Sequence, residues 1–171
     1  MNIQLKEATE ADLPQLLAIC HAAAGTPGST WHDEYPNAEV LSEDIRGHFL
    51  YRIMADGQLI GLIALGPFGE LDVLADPSDG PHPHDLARFG IHPAYQGKGL
   101  AQKALNAALA LCREKEASAV RLLVSPSALP ALAIYEKAGF ERIRLVHLWD
   151  EDYLYLRKAW EQPSEAPTEE T

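Results

Sequence analysis

The sequence predicts a single mixed α/β domain with its elements in the order β-α-α-β-β-β-α-β-α-β-β. Three observations lead to this fold class. The length of 171 residues is typical of one domain, strand and helix patterns alternate along most of the chain, and two pairs of strands are separated only by short turns. Because a doubly wound parallel sheet needs a crossover between successive strands, these hairpins favour an α+β arrangement instead.

The chain begins with a strand and two helices. Residues 2–8 alternate apolar and polar side chains, which predicts a half-buried strand. Thr9 and Asp12 form a variant of the capping box, with aspartate in place of glutamate or glutamine. The apolar residues that follow recur at helical spacing and predict a helix over 13–24, and a second, short helix is predicted at 37–46.

The middle of the chain contains three predicted strands and one long loop. Strands at 49–55 and 58–65 flank the Asp-Gly pair at 56–57, which is a strong hairpin signal. The segment 66–84 is rich in glycine, proline and aspartate without clear periodicity, and loops of this length are usually functional or mobile. The third strand, at 85–91, is closed by a proline shortly after its end.

The second half of the chain alternates helices and strands. A helix is predicted at 99–116, with alanine, leucine and cysteine along one stripe. The strand at 120–124 is apolar apart from Arg121, a pattern typical of a strand buried inside a sheet. A helix at 129–138 has proline in its first turn and glycine just after its end. An acidic turn joins the last two predicted strands, 140–148 and 153–160.

The charge balance limits the classes of partner. The formal net charge is −11 at pH 7, and an acidic surface repels the phosphates of nucleic acids, so no nucleic-acid partner is expected. The same surface is compatible with a cationic amine substrate, although solubility alone also explains it. The segment 161–171 contains four carboxylates and no cation, and it is predicted to be an acidic disordered tail after a folded domain at 1–160.

The apolar pattern of the sequence predicts where the protein is located and whether its two cysteines are reduced. The longest apolar stretch, 59–65, is far shorter than the roughly 18 residues of a membrane-spanning helix, and the N-terminus lacks the pattern of a signal peptide. A cytoplasmic protein without a membrane partner is therefore expected. Cys20 and Cys112 lie in apolar helical patterns without metal-ligand spacing, and both are predicted to be reduced core residues.

The clearest functional signal is a turn with two glycines between a strand and a helix. Gly97 and Gly99 follow the strand at 85–91 and would allow a phosphate to approach the backbone closely. The first amides of a helix have no partners within it, and the helix dipole adds a partial positive charge, so a diphosphate is the expected ligand. A P-loop is absent, and Gln102 replaces the third glycine of a dinucleotide-binding pattern. Taken alone, the two glycines are also compatible with an ordinary strand-to-helix turn.

Two motifs resemble those of the GNAT superfamily of N-acetyltransferases. The run Gln96-x-x-Gly99-x-Ala101 is similar to the Q/R-x-x-G-x-G/A motif that binds the pyrophosphate of acetyl-CoA in that family. The segment 131–140 is similar to the family's A-x-x-x-Y-E-K-x-G-F pattern. The resemblance extends over about residues 2–160 and implies the GNAT fold, a mixed, mostly antiparallel sheet of about six or seven strands with about four helices.

The resemblance also implies an activity. Acetyl-CoA would be the co-substrate, without a metal, and its acetyl group would pass to an amine of a small molecule or peptide by direct attack in a ternary complex. Tyr135 would protonate the departing CoA thiolate as general acid, and backbone groups of the fourth strand would bind the pantetheine arm. The residues implied in cofactor binding are Phe89, Gly90, Ile91, Gln96, Gly97, Lys98, Gly99, Leu100, Ala101 and Tyr135.

One departure from the family pattern leaves a second class of function open. Ala128 replaces an asparagine that contacts the cofactor in many members, so that contact is missing or is supplied by Ser125 or Ser127. Together with an undetermined general base, this favours a non-catalytic acyl-CoA-binding module as the alternative. Members of the family often pair through late strands, so a homodimer is a further implication of the resemblance.

The general base is not fixed by the sequence. Asp85 lies six residues before Ile91, where some members of the family have a carboxylate, and it is the first candidate. Glu70, Asp72 and His84 in the preceding loop are rivals, because a carboxylate or imidazole near the amine could remove its proton. A chain of water molecules is also compatible with the sequence.

The acceptor pocket of the family lies between the first two helices. Trp31, Glu34 and Tyr35 occur there and suit a cationic amine, although packing explains the two aromatic residues equally well. His82 and His84 have no third ligand at a metal-binding spacing, so no metal site is expected.

Overall fold

A computed structural model describes residues 1–26 and 29–160 of the chain. The strands in these ranges are β1 Ile3–Glu7, β2 Leu50–Ala55, β3 Gln58–Gly66, β4 Pro83–Ile91, β5 Ala119–Val124, β6 Glu141–Leu148 and β7 Glu151–Ala159. The α-helices in the same ranges are α1 Leu13–Ala24, α2 Ala38–Arg46, α3 Leu100–Glu114 and α4 Leu129–Lys137. The predicted element order is confirmed, whereas the tail predicted at 161–171 lies outside the described residues.

The strands form one sheet in the order β1-β2-β3-β4-β5-β7-β6. Every neighbouring pair is antiparallel except β4 and β5, which confirms a mixed and mostly antiparallel sheet. β4 and β5 pair in parallel only at Pro83↔Ala119, His84↔Val120 and Asp85↔Arg121. Beyond these pairs the two strands separate, and a cleft opens between them.

A β-bulge bends β4 at this cleft. Leu62 of β3 pairs with Gly90 and Ala64 pairs with Ala87, so β4 has one residue more than β3 in this interval. Arg88 lies within the bulge in a left-handed conformation, with a φ of 49°. Because a bulge bends the strand that contains it, β4 turns away from β5 where the cleft begins.

Helices cover both faces of the sheet. α3 and α4 pack on one face, over a core that includes Ile63, and α1 and α2 pack on the other face, over Leu62 and Ala64. Consecutive residues of β3 therefore point to opposite cores, as expected for a strand buried on both sides. Cys20 and Cys112 are each 1% exposed and not bonded to each other, which confirms the prediction for both.

The loop between β3 and β4 is anchored by a buried arginine. Arg121 on β5 is fully buried, and its guanidinium pairs with Asp85 at 2.7 Å, Asp72 at 2.9 Å and Asp79 at 3.3 Å. A buried guanidinium needs partners for its N–H groups, and the loop supplies two of these three carboxylates. The segment predicted at 66–84 as a functional or mobile loop is thus fixed to the sheet by ion pairs.

Two strands begin two residues earlier than predicted, and the other predicted strand bounds differ from the structure by at most one residue. β4 begins two residues earlier than expected, because Pro83 pairs with Ala119. β7 begins at Glu151 because the turn before it consists of Trp149 and Asp150 alone, with left-handed φ values of 52° and 62°, as in a two-residue type I′ hairpin turn. None of the helices in the described ranges has the length and apolar composition that crossing a membrane requires.

Candidate active site

The turn between β4 and α3 presents a row of backbone amides. Gly97 and Gly99 have left-handed φ values of 76° and 74°, and a β-carbon built on either would meet no atom within 4 Å. In the part of the chain that the structure describes, the amides of residues 97–102 donate to no protein acceptor. The dipole of the 15-residue helix α3 adds to these amides. This turn, called the cradle below, can therefore bind an anionic group such as a diphosphate.

Neighbouring side chains hold the cradle in place. The amide Nε2 of Gln96 donates to the carbonyl oxygen of Ile91 at 3.0 Å, which ties the start of the turn to the end of β4. The Tyr95 hydroxyl donates to Gln58 Oε1 at 2.6 Å, and the ammonium of Lys98 lies 5.8 Å from the centre of the Tyr95 ring. The predicted motif residues thus lie together in one turn, which Leu100 and Ala101 continue into α3.

The edge of β4 that faces the cleft carries unpaired backbone groups. The His92 amide donates to the carbonyl of Ile60 on β3, and because backbone groups alternate sides along a strand, those of Phe89 and Ile91 point toward β5. Pairing with β5 ends at Asp85, so the backbone of Phe89 has no strand partner on that side within the described residues. An extended ligand could pair with this edge as an added strand.

Tyr135 on α4 lies close to the same part of β4. Its ring centre is 6.4 Å from that of Phe89 and 5.6 Å from that of Phe140. The residue is 8% exposed, and within the described ranges its hydroxyl makes no hydrogen bond. Burial raises the pKa of the phenol above its usual range, so the hydroxyl keeps its proton at neutral pH. It can therefore donate a proton to a group bound in the cleft.

A cavity of about 390 Å³ opens beside the cleft and is called the acceptor cavity below, because it contains two of the residues predicted for the acceptor pocket. It spans the gap between the two separated strands, since Leu86 of β4 and Leu123 of β5 both line it. Trp31 and Tyr35 line it as well, whereas Glu34, which was predicted with them, is exposed and is not in its wall. The rest of the wall is mainly acidic and aromatic and includes His32, Glu70, Asp85, Trp149, Glu151 and Tyr153.

Gly90 and Trp31 connect this acceptor cavity to the strand at the cleft. A β-carbon on Gly90 would clash with the indole ring of Trp31, so the ring lies directly against the backbone of β4. Any larger residue at position 90 would displace the ring. The sequence predicted a cofactor contact for Gly90 and an acceptor contact for Trp31, but it did not predict that the two pack on each other.

Arg88 organises one wall of the acceptor cavity and was missed by the sequence analysis. Its guanidinium makes two bonds to Asp44 of α2, at 2.5 and 2.9 Å, and it contacts Glu70 Oε2 at 3.2 Å and the Tyr35 hydroxyl at 3.4 Å. The residue is 8% exposed. These bonds hold the Glu70 carboxylate at the wall. The only sequence signal was an arginine among the mostly apolar residues 86–91. Its partner Asp44 lies far away along the chain.

The four candidates for general base occupy different environments. Both oxygens of Asp85 are bonded, one to Arg121 at 2.8 Å and the other to a backbone amide at 3.1 Å, and the residue is 1% exposed. Burial raises the pKa of Asp85 above its usual range despite these partners. Asp72 pairs with the same arginine, and His84 lines a separate pocket. Glu70 lies in the cavity wall with a side chain that is 33% exposed.

Two further features bear on the sequence predictions. Ala128 precedes α4 and is buried, and the hydroxyls of Ser125 and Ser127, the proposed substitutes for the missing asparagine, lie 2.9 Å apart and bond to each other. Within 1–26 and 29–160, no group of three or more His, Cys, Asp and Glu side chains could hold a metal ion.

Comparison of the sequence with known proteins identifies relatives. The sequence model of the acetyltransferase (GNAT) family matches residues 15–140. The mycothiol acetyltransferase of Paenarthrobacter aurescens (strain TC1) is 32% identical over 109 residues, and that of Streptosporangium roseum is 36% identical over 83 residues. These matches cover 63% and 46% of this chain but only 29% and 23% of the two relatives, which are much longer proteins.

Comparison of the structure with solved structures gives matches over nearly the whole chain. A GNAT-family acetyltransferase from Streptococcus agalactiae 2603 has a TM-score of 0.76 at 22% identity and covers 94% of this chain and 96% of its own. AAC(6')-Ib in complex with ribostamycin and coenzyme A has a TM-score of 0.74 at 24% identity, with 93% and 94% covered. These structures share the fold, and the family match includes most of the sequence. The chain belongs to the acetyltransferase (GNAT) family.

Proposed function

We propose that the chain transfers an acetyl group from acetyl-CoA to an amine of a small cationic molecule or peptide. The observation that carries this proposal is that one cleft joins two unlike sites, the cradle of free amides at 97–102 and the acidic, aromatic acceptor cavity. The names of the relatives support it, since two are mycothiol acetyltransferases and the structure of AAC(6')-Ib contains ribostamycin together with coenzyme A.

The acyl donor would extend along the cleft. The amides of the cradle would bind the pyrophosphate, and the unpaired edge of β4 at Phe89 would bind the amide groups of the pantetheine arm as an added strand. Tyr135 would then lie near the thioester, because its ring packs close to Phe89. Acetyl-CoA supplies the reactive thioester, and the protein positions it.

The charge around the acceptor cavity favours a cationic substrate. The cavity wall and the ion-pair network behind it contain seven carboxylates: Asp44, Glu70, Asp72, Asp76, Asp79, Asp85 and Glu151. The same network contains three guanidinium groups, those of Arg88, Arg121 and Arg157, which leaves four formal negative charges. Such an excess raises the local concentration of a cation, and aromatic faces bind ammonium groups.

The transfer itself needs two proton movements. The amine attacks as a neutral nucleophile, its nitrogen forms a bond to the thioester carbonyl carbon, and the bond from that carbon to sulfur breaks. We assign Glu70 as the group that accepts the amine proton, directly or through a water molecule. The phenol of Tyr135 gives its proton to the departing sulfur and regains one from solvent. The products are an N-acetylated amine and the CoA thiol.

Asp85 stays the alternative proton acceptor. Its raised pKa suits a base, but its bonds to Arg121 and to a backbone amide occupy both oxygens. Glu70 is favoured because its side chain lies in the cavity wall and is partly exposed, while Arg88 fixes its position.

The test is turnover by the full chain with acetyl-CoA and a series of monoamines, diamines and triamines, followed by thiol release and by the mass of the product. We expect acetylated product, with the highest kcat/KM for amines that carry a second positive charge. A non-catalytic acyl-CoA-binding module, the alternative, predicts saturable CoA binding in calorimetry without thiol release above the background rate. Absence of CoA binding would contradict both functions.

We also propose that two copies pair through the sheet edge. β6 is the last strand of the sheet, and within the described residues its outer edge has no strand partner. Leu145 on this strand is 60% exposed. Analytical ultracentrifugation should find a dimeric parent and a monomeric Leu145→Lys variant, and a monomeric parent would contradict the proposal.

A further inference from the structure

A second pocket, of about 190 Å³, opens at the end of β4 that is remote from the cradle. Most of its lining is apolar and comes from Phe49, Leu65, Pro67 and Leu111. Four polar side chains also line it, those of His48, Tyr51, His84 and Lys115. The pocket is much smaller than the acceptor cavity, and the proposed acetyl transfer uses none of its residues.

This pocket is separate from the proposed acetyl-transfer site. The strand from His84 to Ile91 is about 23 Å long at the usual rise of a β-strand. The 15 residues of α3, which runs from the cradle to Lys115, are about 22 Å long. Both lengths place the cradle and the pocket at opposite ends of these elements. His84 and Asp85 are consecutive residues of β4, so one faces the pocket while the other faces the acceptor cavity.

His84 is the first sign that the pocket receives a ligand. The residue is 5% exposed, yet its imidazole makes no hydrogen bond to any residue in the described ranges. An imidazole carries at least one N–H donor, and this one lines the pocket without a protein partner in the described residues. Its N–H is therefore free to donate to the acceptor atom of a ligand.

Lys115 is the second sign. Its ammonium lies at the same pocket and donates to the Tyr51 hydroxyl at 2.8 Å. An ammonium has three N–H donors, and the structure gives no other acceptor for them in the residues that it describes. The backbone carbonyls of Leu111 and Cys112 at the end of α3 already accept hydrogen bonds, so they do not present free negative ends to a ligand.

One carboxylate outside the pocket lining acts on this ammonium. It belongs to Glu7, and it bonds at 2.5 Å to His48, which also lines the pocket. The lining itself therefore contains the positive charge of Lys115 and the imidazole donor of His84 in a mostly apolar wall. A ligand with one negative charge matches this set, whereas a dianion would carry an unpaired charge into an apolar surrounding.

We propose that this pocket is a second binding site of the protein, specific for a small monocarboxylate with a compact apolar group. The carboxylate binds between the Lys115 ammonium and the His84 imidazole, and the apolar group packs against Phe49, Leu65 and Leu111. Coenzyme A and nucleotides are too large for a pocket of about 190 Å³. The proposal does not depend on the acetyl-transfer function, since it rests on different residues.

Calorimetry on the full chain tests the proposal, with isobutyrate as the probe and isobutyramide as its neutral counterpart of the same shape. We expect saturable, millimolar or tighter binding of isobutyrate, no binding of isobutyramide, and an isobutyrate affinity that is unchanged when CoA is present at saturation. Equal binding of both probes would show that the pocket does not recognise the negative charge of the carboxylate. Competition with CoA would show that isobutyrate binds at the cradle and not in this pocket.

Two lysine variants locate the site. Lys115→Met keeps most of the side-chain length, removes the charge, and should weaken isobutyrate binding at least tenfold; because Lys115 is exposed, the fold should persist. Lys103→Met is the matched control, since Lys103 is exposed and lies near the cradle end of α3, whereas Lys115 directly follows the other end. The isobutyrate affinity of Lys103→Met should equal that of the parent. Parental affinity in Lys115→Met, or no saturable binding to the parent, would overturn the proposal.

Discussion

At the residue scale, the hydroxyl of Tyr135 is responsible for the proposed protonation of the CoA thiolate. Tyr135→Phe keeps the ring contacts with Phe89 and Phe140 but removes the proton donor. Because general acid catalysis typically contributes about 10²–10⁴-fold, kcat should fall by about that factor while KM for acetyl-CoA changes little. Steady-state thiol release with a working amine measures both quantities.

Tyr51→Phe is the matched control for this substitution. Tyr51 is also buried, but it lies at the second pocket rather than in the cleft, so its variant should keep the parental kcat. Melting curves should show that both variants are folded. If Tyr135→Phe turned over within about threefold of the parent, the ring would be assigned to packing and a water molecule would be the proton donor.

The same scale separates the two candidate bases. Glu70→Gln should lower kcat by about 100-fold or more, because it removes the proposed proton acceptor, with little change in melting temperature. Asp85→Asn should instead destabilise the fold by about 2 kcal/mol, since it weakens a charged hydrogen bond to buried Arg121. That loss is smaller than the roughly 3–5 kcal/mol of an isolated buried pair, because Asp72 and Asp79 still bind the guanidinium.

For a chain of this size the melting temperature of Asp85→Asn should fall by about 4–8 °C, while its kcat, measured below that temperature, stays near the parental value. Circular dichroism on heating and the thiol assay provide the two measurements. The reverse pattern, a stable but inactive Asp85→Asn and an active Glu70→Gln, would return the role of base to Asp85.

At the scale of elements, a substitution in the cradle between β4 and α3 can affect both protein stability, through backbone strain, and ligand binding. A second glycine with the same backbone conformation allows the two effects to be measured separately. Gly99 and Gly57 both have left-handed φ values, 74° and 82°, and neither has an atom within 4 Å of a built β-carbon. Gly99→Asp and Gly57→Asp should therefore cost a similar free energy of unfolding, about 1–2 kcal/mol. Only Gly99→Asp adds bulk and negative charge to the cradle, so calorimetry should find its CoA affinity reduced about 100-fold or more.

Gly57→Asp should bind CoA like the parent, because Gly57 lies in the turn between β2 and β3. Denaturant unfolding of both variants checks that their stabilities match. A folded Gly99→Asp protein with parental CoA affinity would show that the pyrophosphate does not lie in this turn.

An element could be predicted from the sequence when the residues that determine its conformation are close together in the chain. The Asp-Gly pair at 56–57 predicts a hairpin from two adjacent residues. The cradle was predicted from the six residues 96–101, whose pattern resembles the family motif. The turn at Trp149 and Asp150 was predicted too long, because acidic composition resembles a loop, whereas the left-handed conformation of two ordinary residues is visible only in the structure.

At the scale of the whole molecule, the ion pairs around the acceptor cavity could not be predicted. Arg88 and Asp44 are 44 residues apart, and Arg121 and Asp72 are 49 apart. Each pair forms because the sheet and the bulge of β4 bring distant segments together, and no local pattern encodes that meeting. The net charge of −11, by contrast, was available from the sequence and indicates how the two substrates should respond to salt.

The acidic cavity and the acidic molecule predict opposite salt effects for the two substrates. Screening weakens the attraction between the cavity and a cationic amine, so kcat/KM for a triamine should fall severalfold between about 0.05 and 0.5 M salt. The same screening weakens the repulsion between a protein of net charge −11 and the polyanionic acetyl-CoA, whose KM should fall or stay constant. Glu151→Gln removes one exposed carboxylate from the cavity wall, and it should flatten the salt dependence for the triamine but not for acetyl-CoA. Steady-state kinetics at fixed pH and varied salt measures both slopes; a triamine rate that is independent of salt would mean that the cavity does not attract its substrate through charge.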